Sequence, residues 1–453
     1  MSHKLERSPG TIASASNLFL SVLMLSVICF HGVFVPEQVM LIVQLLGVVC
    51  LFIVFWSGEY KGKSYPIVFW FFWSSLLMAC AYVVPLSFID HLHLPGRELY
   101  ESVAEWLNRN HSDNQQHYLS IIPYESKIAL LTLIAPVSFF FVALSLNESR
   151  LTQLVYALLL ITTLQASLGL IQYTSGNPFF LFGMPSSGGS AQGTYVNRDH
   201  FSALLEMVLP LVIGLLLFSI GRSSSGRRAK NLSRIFNQVL IYTFIALIVF
   251  LAAIFAKSRI GVLLIMVAVL LSTIVFSRHI GGKASVGFTA AFATIAIGLS
   301  VSIGLIPVLN RFVSKNPVED ERWRIFEHTI QGIKAFFPVG SGPGTFSDIY
   351  RAFQPVEQLR FINNAHNDYL ELLFEMGAAA VFIIVGFFFL YLFGWFKLAG
   401  GVWNRERFIQ VGSGIGILML LLHSSMDFIL HEPMNTMVFA LLVGMFFRRE
   451  NSN

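Results

Sequence analysis

The chain has 453 residues, of which 55% are hydrophobic and 12% are charged, and its mean hydropathy is +0.68. Soluble domains carry about 25% charged residues, so this composition excludes an ordinary soluble protein. The formal net charge of +5 arises from 30 basic and 25 acidic residues, and the basic loop at 221–234 is better interpreted as a topology signal than as a nucleic-acid site.

Long apolar runs recur along the whole chain. A membrane-spanning helix needs about 20 mostly apolar residues. The runs are continuous rather than alternating, which favours helices over a lipid-facing barrel. We therefore predict an all-α polytopic membrane protein, one membrane domain over residues 1–453, with about twelve transmembrane helices. The spans are predicted at 16–35, 38–56, 66–86, 125–146, 150–172, 199–220, 236–256, 260–276, 285–306, 367–395, 408–430 and 433–447.

The positions of lysine and arginine predict the orientation of these spans. With the N-terminus in the cytoplasm, 17 of the 30 basic residues fall in short cytoplasmic segments, together with only five acidic residues. This bias predicts that both termini are cytoplasmic. The loops 87–124 and 307–366 then lie on the outer side. The three cysteines all fall inside predicted spans, so neither a disulfide framework nor a cysteine metal site is implied.

The first outer loop contains the only candidate metal ligands. Asp90, His91 and His93 have side chains that suit zinc or manganese. Their spacing matches no known metal-site pattern, and polar residues at a helix exit are usually solvated. We therefore predict no metal.

The outer loop 173–197 is rich in turn formers and leads into the sixth predicted span. A glycine-rich backbone before a helix N-terminus can offer N–H groups to an anion. Arg198 lies at this point, with Asn197, Asp199 and His200 beside it to hold its geometry. Arg198 is either an anion ligand or a snorkelling anchor at the membrane interface, and the sequence leaves both open.

Lys257 and Arg259 occupy a very short outer turn between the seventh and eighth predicted spans. Two cations here run against the basic bias of the cytoplasmic side. A residue that breaks a local rule is a candidate functional residue, so both are predicted to belong to a site.

The loop 307–366 is long enough to form a small lobe outside the membrane. Apolar residues recur at helical spacing over 323–337, which predicts an amphipathic helix that also carries Arg322 and Arg324. The predicted apolar face consists of Trp323, Phe326, Ile330, Ile333 and Phe337. The glycine-rich segment 338–344 follows a helix and lacks Gly-Lys-Ser/Thr, so it is interpreted as a hinge or turn rather than a nucleotide loop.

Polar residues meet apolar spans again near the end of the chain. His366, Asn367 and Asp368 stand where the large loop enters the tenth span. His423 and Asp427 are four residues apart, which predicts one face of the eleventh span. Glu206, inside the sixth span, is expected to pair with an arginine. Ionisable residues inside a membrane usually face an internal cavity, so these groups are candidate site residues.

Five motifs together carry a resemblance to a known family. They occur in an order and spacing similar to the O-antigen ligase and Wzy-type polysaccharide polymerase superfamily, over roughly 150–435. The motifs are Gly193-Thr-Tyr-Val-Asn-Arg-Asp-His-Phe201, Lys257-Ser-Arg-Ile-Gly261, Arg322-Trp-Arg324, Ala365-His-Asn-Asp-Tyr-Leu370 and His423-Ser-Ser-Met-Asp-Phe428. Relatives often carry asparagine where this chain has Asp199, and a carboxylate there weakens an anion site unless it braces Arg198.

The resemblance implies a metal-independent, inverting glycosyltransferase without a cofactor. Such enzymes lie in the bacterial inner membrane, with the active site and the two long loops facing the periplasm. They transfer a glycan from undecaprenyl diphosphate to a sugar hydroxyl. By this resemblance His366 is the catalytic residue, and Arg198 and Arg259 bind the diphosphate.

Side-chain chemistry agrees with this assignment. Guanidinium groups pair with phosphate oxygens and stabilise the charge that develops on a diphosphate leaving group. Imidazole ordinarily titrates at about pH 6.5, so it can accept a hydroxyl proton near neutrality. We group Lys257, Arg322 and Arg324 with the diphosphate ligands. Supporting roles are predicted for Asn197, His200, Asn367, Asp368, His423 and Asp427, with Asp368 or Asn367 orienting the imidazole of His366.

Three functions remain open. A polymerase extends another lipid-linked glycan and is slightly favoured, because the 173–197 loop and the Asp427-Phe428 motif resemble exopolysaccharide members. A ligase attaches the glycan to a lipid A core or a protein. A transporter of the lipid-linked glycan is the alternative from another class, but repeated halves and broken helices that meet at the midplane are not visible in the sequence.

Overall fold

The computed structural model describes residues 9–31, 37–85, 94–100, 118–175, 189–224, 232–279 and 317–449, together with positions 287, 294 and 298. Within these ranges the regular structure is helical and contains no β-strand, which confirms the all-α prediction. The helices are α1 Pro9–His31, α2 Glu37–Ser57, α3 Pro66–Ala81, α4 Pro123–Thr132, α5 Ile134–Ser145, α6 Glu148–Ser175, α7 Arg198–Ser224, α8 Leu232–Phe255, α9 Arg259–Ser277, α10 Pro317–Phe336, α11 Phe346–Ile349, α12 Asp368–Leu398, α13 Arg405–His423 and α14 Pro433–Phe446.

Eight candidate membrane spans are present among the described residues, against about twelve predicted. Seven are the single helices α1, α2, α6, α7, α8, α9 and α12, and the eighth runs through α4 and α5 over Pro123–Ser145. The helices α3 and α14 are apolar but shorter. The predicted span at 285–306 lies outside the described residues except for three helical positions. The count of twelve therefore stays a prediction.

Helix α7 forms the centre of the bundle. It packs against α8, α9, α13 and α14, and 89% of its most apolar stretch is buried. A helix that is buried on all sides places its polar residues inside the protein. The side chains of Ser202 and Glu206 on α7 accordingly face other helices rather than lipid.

The two described ends of the chain lie at the same end of the bundle. Gly10 packs against Glu59 in the loop between α2 and α3. The backbone N–H of Arg449 donates to the carbonyl of Lys63 in that same loop, at 2.8 Å. This geometry agrees with termini on one side of the membrane, and the assignment of that side to the cytoplasm stays a prediction.

Helix α12 is interrupted at Gly377, where the backbone adopts φ 51° and ψ −121°. A side chain at this position would overlap the carbonyl of Pro338, so only glycine fits. The glycine-rich segment 338–344 docks here: Ser341 N–H donates to the Phe374 carbonyl and Gly342 N–H to the Glu375 carbonyl. The predicted hinge or turn is thus a mostly buried turn, and it satisfies backbone groups that the interrupted helix leaves free.

Helix α10 confirms the predicted amphipathic helix, and the protein buries part of its apolar surface. The protein buries three apolar side chains of α10, which packs against α12 and against the short helical segments between α10 and α12: Ile325, Phe326 and Phe336. Trp323, in contrast, is 62% exposed. Ile330 and Phe337 are exposed as well. The protein itself therefore covers only part of the predicted apolar face.

Candidate active site

His366 occupies a sharp bend at the start of α12. Its φ of 53° is rare for a residue with a side chain. The next residue, Asn367, caps the helix by accepting hydrogen bonds from the N–H groups of Tyr369 and Leu370. The Asn367 side chain also donates to the carbonyl of Ser425 at 2.9 Å. The bend is therefore tied to the chain segment that follows α13.

The imidazole of His366 pairs with the carboxylate of Asp427. The Nδ1–Oδ1 distance is 2.8 Å, and the Asp427 side chain is fully buried while that of His366 is 29% exposed. The prediction that Asp368 or Asn367 orients this ring was wrong. Asp427 lies 61 residues further along the chain, and a sequence gives no distance between residues so far apart.

Asp427 also departs from its predicted helical position. Helix α13 ends at His423, so His423 and Asp427 do not share a helix face. The Asp427 carboxylate accepts a hydrogen bond from the N–H of Phe428 at 3.0 Å. Local bonds of this kind compete with helical hydrogen bonding and suit the non-helical segment that follows α13.

Polar neighbours keep Asp427 ionised. Asn197 Nδ2 donates to Oδ2 at 3.4 Å, and the guanidinium of Arg322 lies 3.6 Å from the same oxygen. Burial raises the pKa of Asp427, but the hydrogen bond from His366 and the charge of Arg322 outweigh it and hold the pKa well below its usual value. His366 therefore faces a carboxylate that carries its charge across the neutral range.

Arg322 joins α10 to this group. Its guanidinium contacts the Asp199 carboxylate at 3.3 Å and donates to the carbonyl of Met426 at 3.0 Å. Asp199 was expected to brace Arg198, and in the structure it holds Arg322. Arg324, two residues further on, is exposed. Of the two arginines predicted on α10, Arg322 therefore contacts other groups of the protein, whereas Arg324 is exposed.

Arg198 and Arg259 are the first residues of α7 and α9. Asn197, directly before Arg198, contacts Asp427. The segment before Asn197 is bound to the end of α8, because the Ala191 N–H donates to the Phe255 carbonyl at 2.9 Å. The two helix N-termini and His366 therefore lie at the same end of the bundle. Helix N-termini carry positive partial charge, which adds to that of the arginines.

Lys257 stands in the turn between α8 and α9, with φ 55°. Its ammonium donates to the Gly189 carbonyl at 2.7 Å and lies 5.0 Å from the centre of the Tyr173 ring. The following Ser258 caps α9 by accepting from the Gly261 N–H at 3.0 Å. The structure thus gives Lys257 contacts that hold the 189–197 segment against this turn.

Glu206 pairs with a histidine rather than with the expected arginine. His423 Nδ1 and Glu206 Oε2 are 3.0 Å apart, and both side chains are fully buried. Ser202 donates to the other carboxylate oxygen at 2.6 Å. This pair joins α7 to the end of α13, close in sequence to Asp427.

Two further site residues were missed in the sequence. His431 lies 3.3 Å from Asp368 Oδ1 and 3.0 Å from Glu371 Oε1, and so links the start of α12 to the segment after Asp427. Phe428 packs edge-on against His366 and His200, with ring centres 4.9 and 4.7 Å apart. Asp368 and Glu371 are three residues apart, so their carboxylates lie side by side on one helix. This spacing is the feature of the sequence from which a shared cationic partner could have been predicted.

The exposed edge of His366 opens into a pocket of about 250 Å³ between α10 and the segment before α12. Its walls combine two aromatic rings, two amides and an ion pair in which Arg360 and Glu321 are 3.9 Å apart. The lining residues are Glu321, Arg322, Ile325, Arg360, Phe361, Ile362, Asn363, Asn364, His366 and Phe428. His200, 6% exposed, lies behind Phe428 rather than in the pocket.

Among the described residues, no group of three or more histidine, cysteine, aspartate or glutamate side chains is arranged to hold a metal ion. The candidate ligands Asp90, His91 and His93 lie outside the described residues. The prediction about this loop therefore stays a prediction.

Comparison with known families adds an independent observation. Residues 244–385 match the model of the O-antigen ligase family. The predicted resemblance is thereby confirmed. No curated protein matches the chain. Together with the apolar helices, this partial match supports a multi-pass membrane protein that is similar over residues 244–385 to the O-antigen ligases, a family of glycosyltransferase-type enzymes.

The O-antigen ligase match covers only part of the site. It begins within α8 and ends within α12, so it includes Arg259, Arg322 and His366. It leaves out Arg198 and Asp427. The contacts of His366 with Asp427, and of Asp427 with Asn197, join the matched region to the helices on both sides of it.

The His431 link predicts a pH dependence of stability. Partial burial lowers the pKa of His431, but Glu371 and Asp368 outweigh it and raise the pKa well above its ordinary value. A raised folded-state pKa contributes stability that is complete below about pH 6.5 and is lost as pH rises through the raised value. We expect the thermal midpoint of the purified protein to decrease as the pH is raised from about 6 to about 9. The decrease should be smaller in the His431→Gln variant.

The control is His328→Gln on α10, where the histidine faces Gln331 rather than a carboxylate. At about pH 6, His431→Gln should lose about 0.2–1 kcal/mol, because Asp368 and Glu371 lose a charged partner whose own side chain is 43% exposed and therefore screened by solvent. An unchanged midpoint in His431→Gln at this pH would show that the link contributes nothing to stability.

Proposed function

We propose that the chain is a metal-independent, inverting glycosyltransferase that moves a glycan from undecaprenyl diphosphate to a sugar hydroxyl. The contact of 2.8 Å between His366 and the buried Asp427 carries this proposal, because a carboxylate on one imidazole nitrogen leaves the other free to act as a base. The site is proposed to face the periplasm from the bacterial inner membrane.

The proposed step is a single displacement. His366 Nδ1 donates to Asp427, so Nε2 carries the lone pair and accepts the proton of the acceptor hydroxyl. The hydroxyl oxygen forms a bond to the anomeric carbon while the bond from that carbon to the diphosphate breaks. The electron pair of the broken bond leaves with the diphosphate. Attack from the face opposite the leaving group inverts the anomeric centre.

Arg198 and Arg259 are proposed to bind the diphosphate. Each begins a helix, so backbone dipole and guanidinium act on the same anion. Lys257 and the exposed Arg324 are proposed as outer contacts. Arg322 contacts Asp199 and Asp427, and its proposed role is therefore to position Asp427 rather than to hold phosphate.

The pocket beside His366 is proposed to receive the acceptor sugar. Sugars present apolar C–H faces and a ring of hydroxyls, which fit aromatic rings such as Phe361 and Phe428 and polar groups such as Asn363 and Arg360. At about 250 Å³ the pocket is smaller than the 300 Å³ or more usual for ligand sites, which suits one sugar unit.

Polymerase activity is the leading form of this proposal, and transfer to a lipid A core or protein is the alternative. Incubation of the purified protein with lipid-linked donor alone separates them, because a ladder of lengthening glycans requires a polymerase. Transfer only after addition of a lipid A core acceptor supports a ligase. Movement of the donor across vesicles without a new glycosidic bond would support a transporter and contradict the enzyme proposal.

The two proposed diphosphate ligands give a sharper test. Arg198→Lys and Arg259→Lys keep the charge but lose the paired N–H donors, so each should lower kcat/KM for the donor by about 10- to 100-fold. The measurement is initial-rate kinetics with varied donor. Arg278→Lys, an exposed substitution just after the opposite end of α9, is the matched control. Wild-type kinetics in both lysine variants would contradict paired guanidinium binding.

A further inference from the structure

A second pocket lies at the opposite end of the bundle from His366. Its volume is about 290 Å³, and it opens where α12 and α14 end and α13 begins. Among the nine described residues that line it, four are cations and none is a carboxylate. The four cations are Lys397, Arg407, Arg448 and Arg449. We refer to it as the basic pocket.

One of the four cations is used internally. Arg448 is buried, its Nε donates to Glu406 at 2.7 Å, and its Nη1 donates to the carbonyl of Ala143 at 2.8 Å. This side chain forms the back wall and holds α13, α14 and α5 together. Glu406 lines the neighbouring cavity, so the carboxylate lies on the far side of Arg448.

Two other cations face the opening. Arg449 lies 5.3 Å from the centre of the Tyr65 ring, and Lys397 lies 5.3 Å from the centre of the Phe393 ring. Within the described part of the chain, the charged groups of Lys397 and Arg449 contact aromatic rings and no carboxylate. A concave site with this charge and no acid in its wall selects an anion.

The surroundings of the pocket indicate what the anion is attached to. Val385, Phe389, Leu392 and Phe396 are exposed on α12 at steps of four, three and four residues, which forms one helix face. In a membrane-spanning helix such a face contacts lipid chains. The face ends beside Lys397 at the rim of the basic pocket. A ligand with an anionic head and apolar tails matches both surfaces at once.

We infer that the basic pocket binds the headgroup of an anionic phospholipid whose acyl chains lie along the exposed face of α12. Basic pockets between membrane helices recognise such headgroups through their phosphate charge. The site lies at the end of α12 opposite His366 and takes no part in glycan transfer. This inference does not depend on the proposed function, because it concerns different residues and a different ligand.

The test is native mass spectrometry of the full-length protein, purified in detergent and stripped of lipid. The probes are phosphatidylglycerol, phosphatidylcholine and inorganic phosphate. The wild-type protein should bind one phosphatidylglycerol in preference to phosphatidylcholine. Lys397→Gln/Arg449→Gln should weaken that binding about thirtyfold, because each cation near an anionic lipid contributes about 1 kcal/mol and every 1.4 kcal/mol changes the affinity about tenfold.

The matched control is Lys61→Gln/Arg278→Gln, which removes two exposed cations that do not line the pocket. This control should bind phosphatidylglycerol as the wild type does. Both double variants should elute as the wild type does on size exclusion, since neither replaces a buried side chain. Equal binding in the two double variants, equal binding of phosphatidylcholine, or displacement of the lipid by equimolar inorganic phosphate would each overturn the inference.

Discussion

Replacement of His366 by alanine is expected to lower the rate of glycan transfer by about 10²- to 10⁴-fold, the usual contribution of a general base. The imidazole lies at the edge of the proposed acceptor pocket, and its other nitrogen is held by Asp427 at 2.8 Å. Without it, no group in the proposed mechanism accepts the hydroxyl proton. The measurement is the single-turnover rate with saturating lipid-linked donor.

Two further measurements make the His366→Ala result specific. Donor affinity should be unchanged, because the proposed diphosphate ligands lie on α7 and α9. His328→Ala on α10 controls for loss of a histidine elsewhere in the lobe and should keep wild-type activity. Full activity in His366→Ala would end the general-base assignment, whereas loss of donor binding would mean that His366 serves the donor instead.

The sequence indicated candidate residues, but it did not indicate which residues they contact. His366 was identified because an imidazole stands between a polar loop and an apolar span, within a family motif. Its partner was expected to be Asp368 or Asn367, yet Asp368 lies 3.3 Å from His431, Asn367 caps α12, and Asp427 pairs with His366 instead. The same error recurs at Glu206, which pairs with His423 rather than an arginine. Pairings across a helical bundle depend on how the helices pack, and hydropathy does not report that.

The fold was predictable to the extent that hydropathy alone determines it. The eight candidate spans among the described residues follow from the need to satisfy backbone groups inside a membrane. The interruption of α12 at Gly377 was not predicted, because it depends on the segment at 338–344 docking against the helix. The side of α10 that the protein buries was not predicted either, since it depends on which elements pack against the helix.

Replacement of Asp427 by asparagine is expected to lower kcat by about 10²- to 10⁴-fold while the KM for the donor changes little. The change in shape is small, but an amide can donate to Nδ1 of His366 and so favour the wrong tautomer, with its proton on Nε2. The ring is then in place without a free lone pair toward the acceptor. The measurement is steady-state kinetics across pH, with Asp348→Asn, an exposed carboxylate of the same lobe, as the control.

The pKa of Asp427 makes this prediction distinct from a loss of stability. A depressed folded-state pKa contributes stability above the ordinary carboxyl value of about 3.9 and loses it as pH falls through the depressed value. The wild-type carboxylate therefore stays charged throughout the neutral range, and Asp427→Asn should be impaired equally at every pH there. If only the thermal midpoint fell while kcat kept its wild-type value, Asp427 would be a structural residue rather than the group that orients His366.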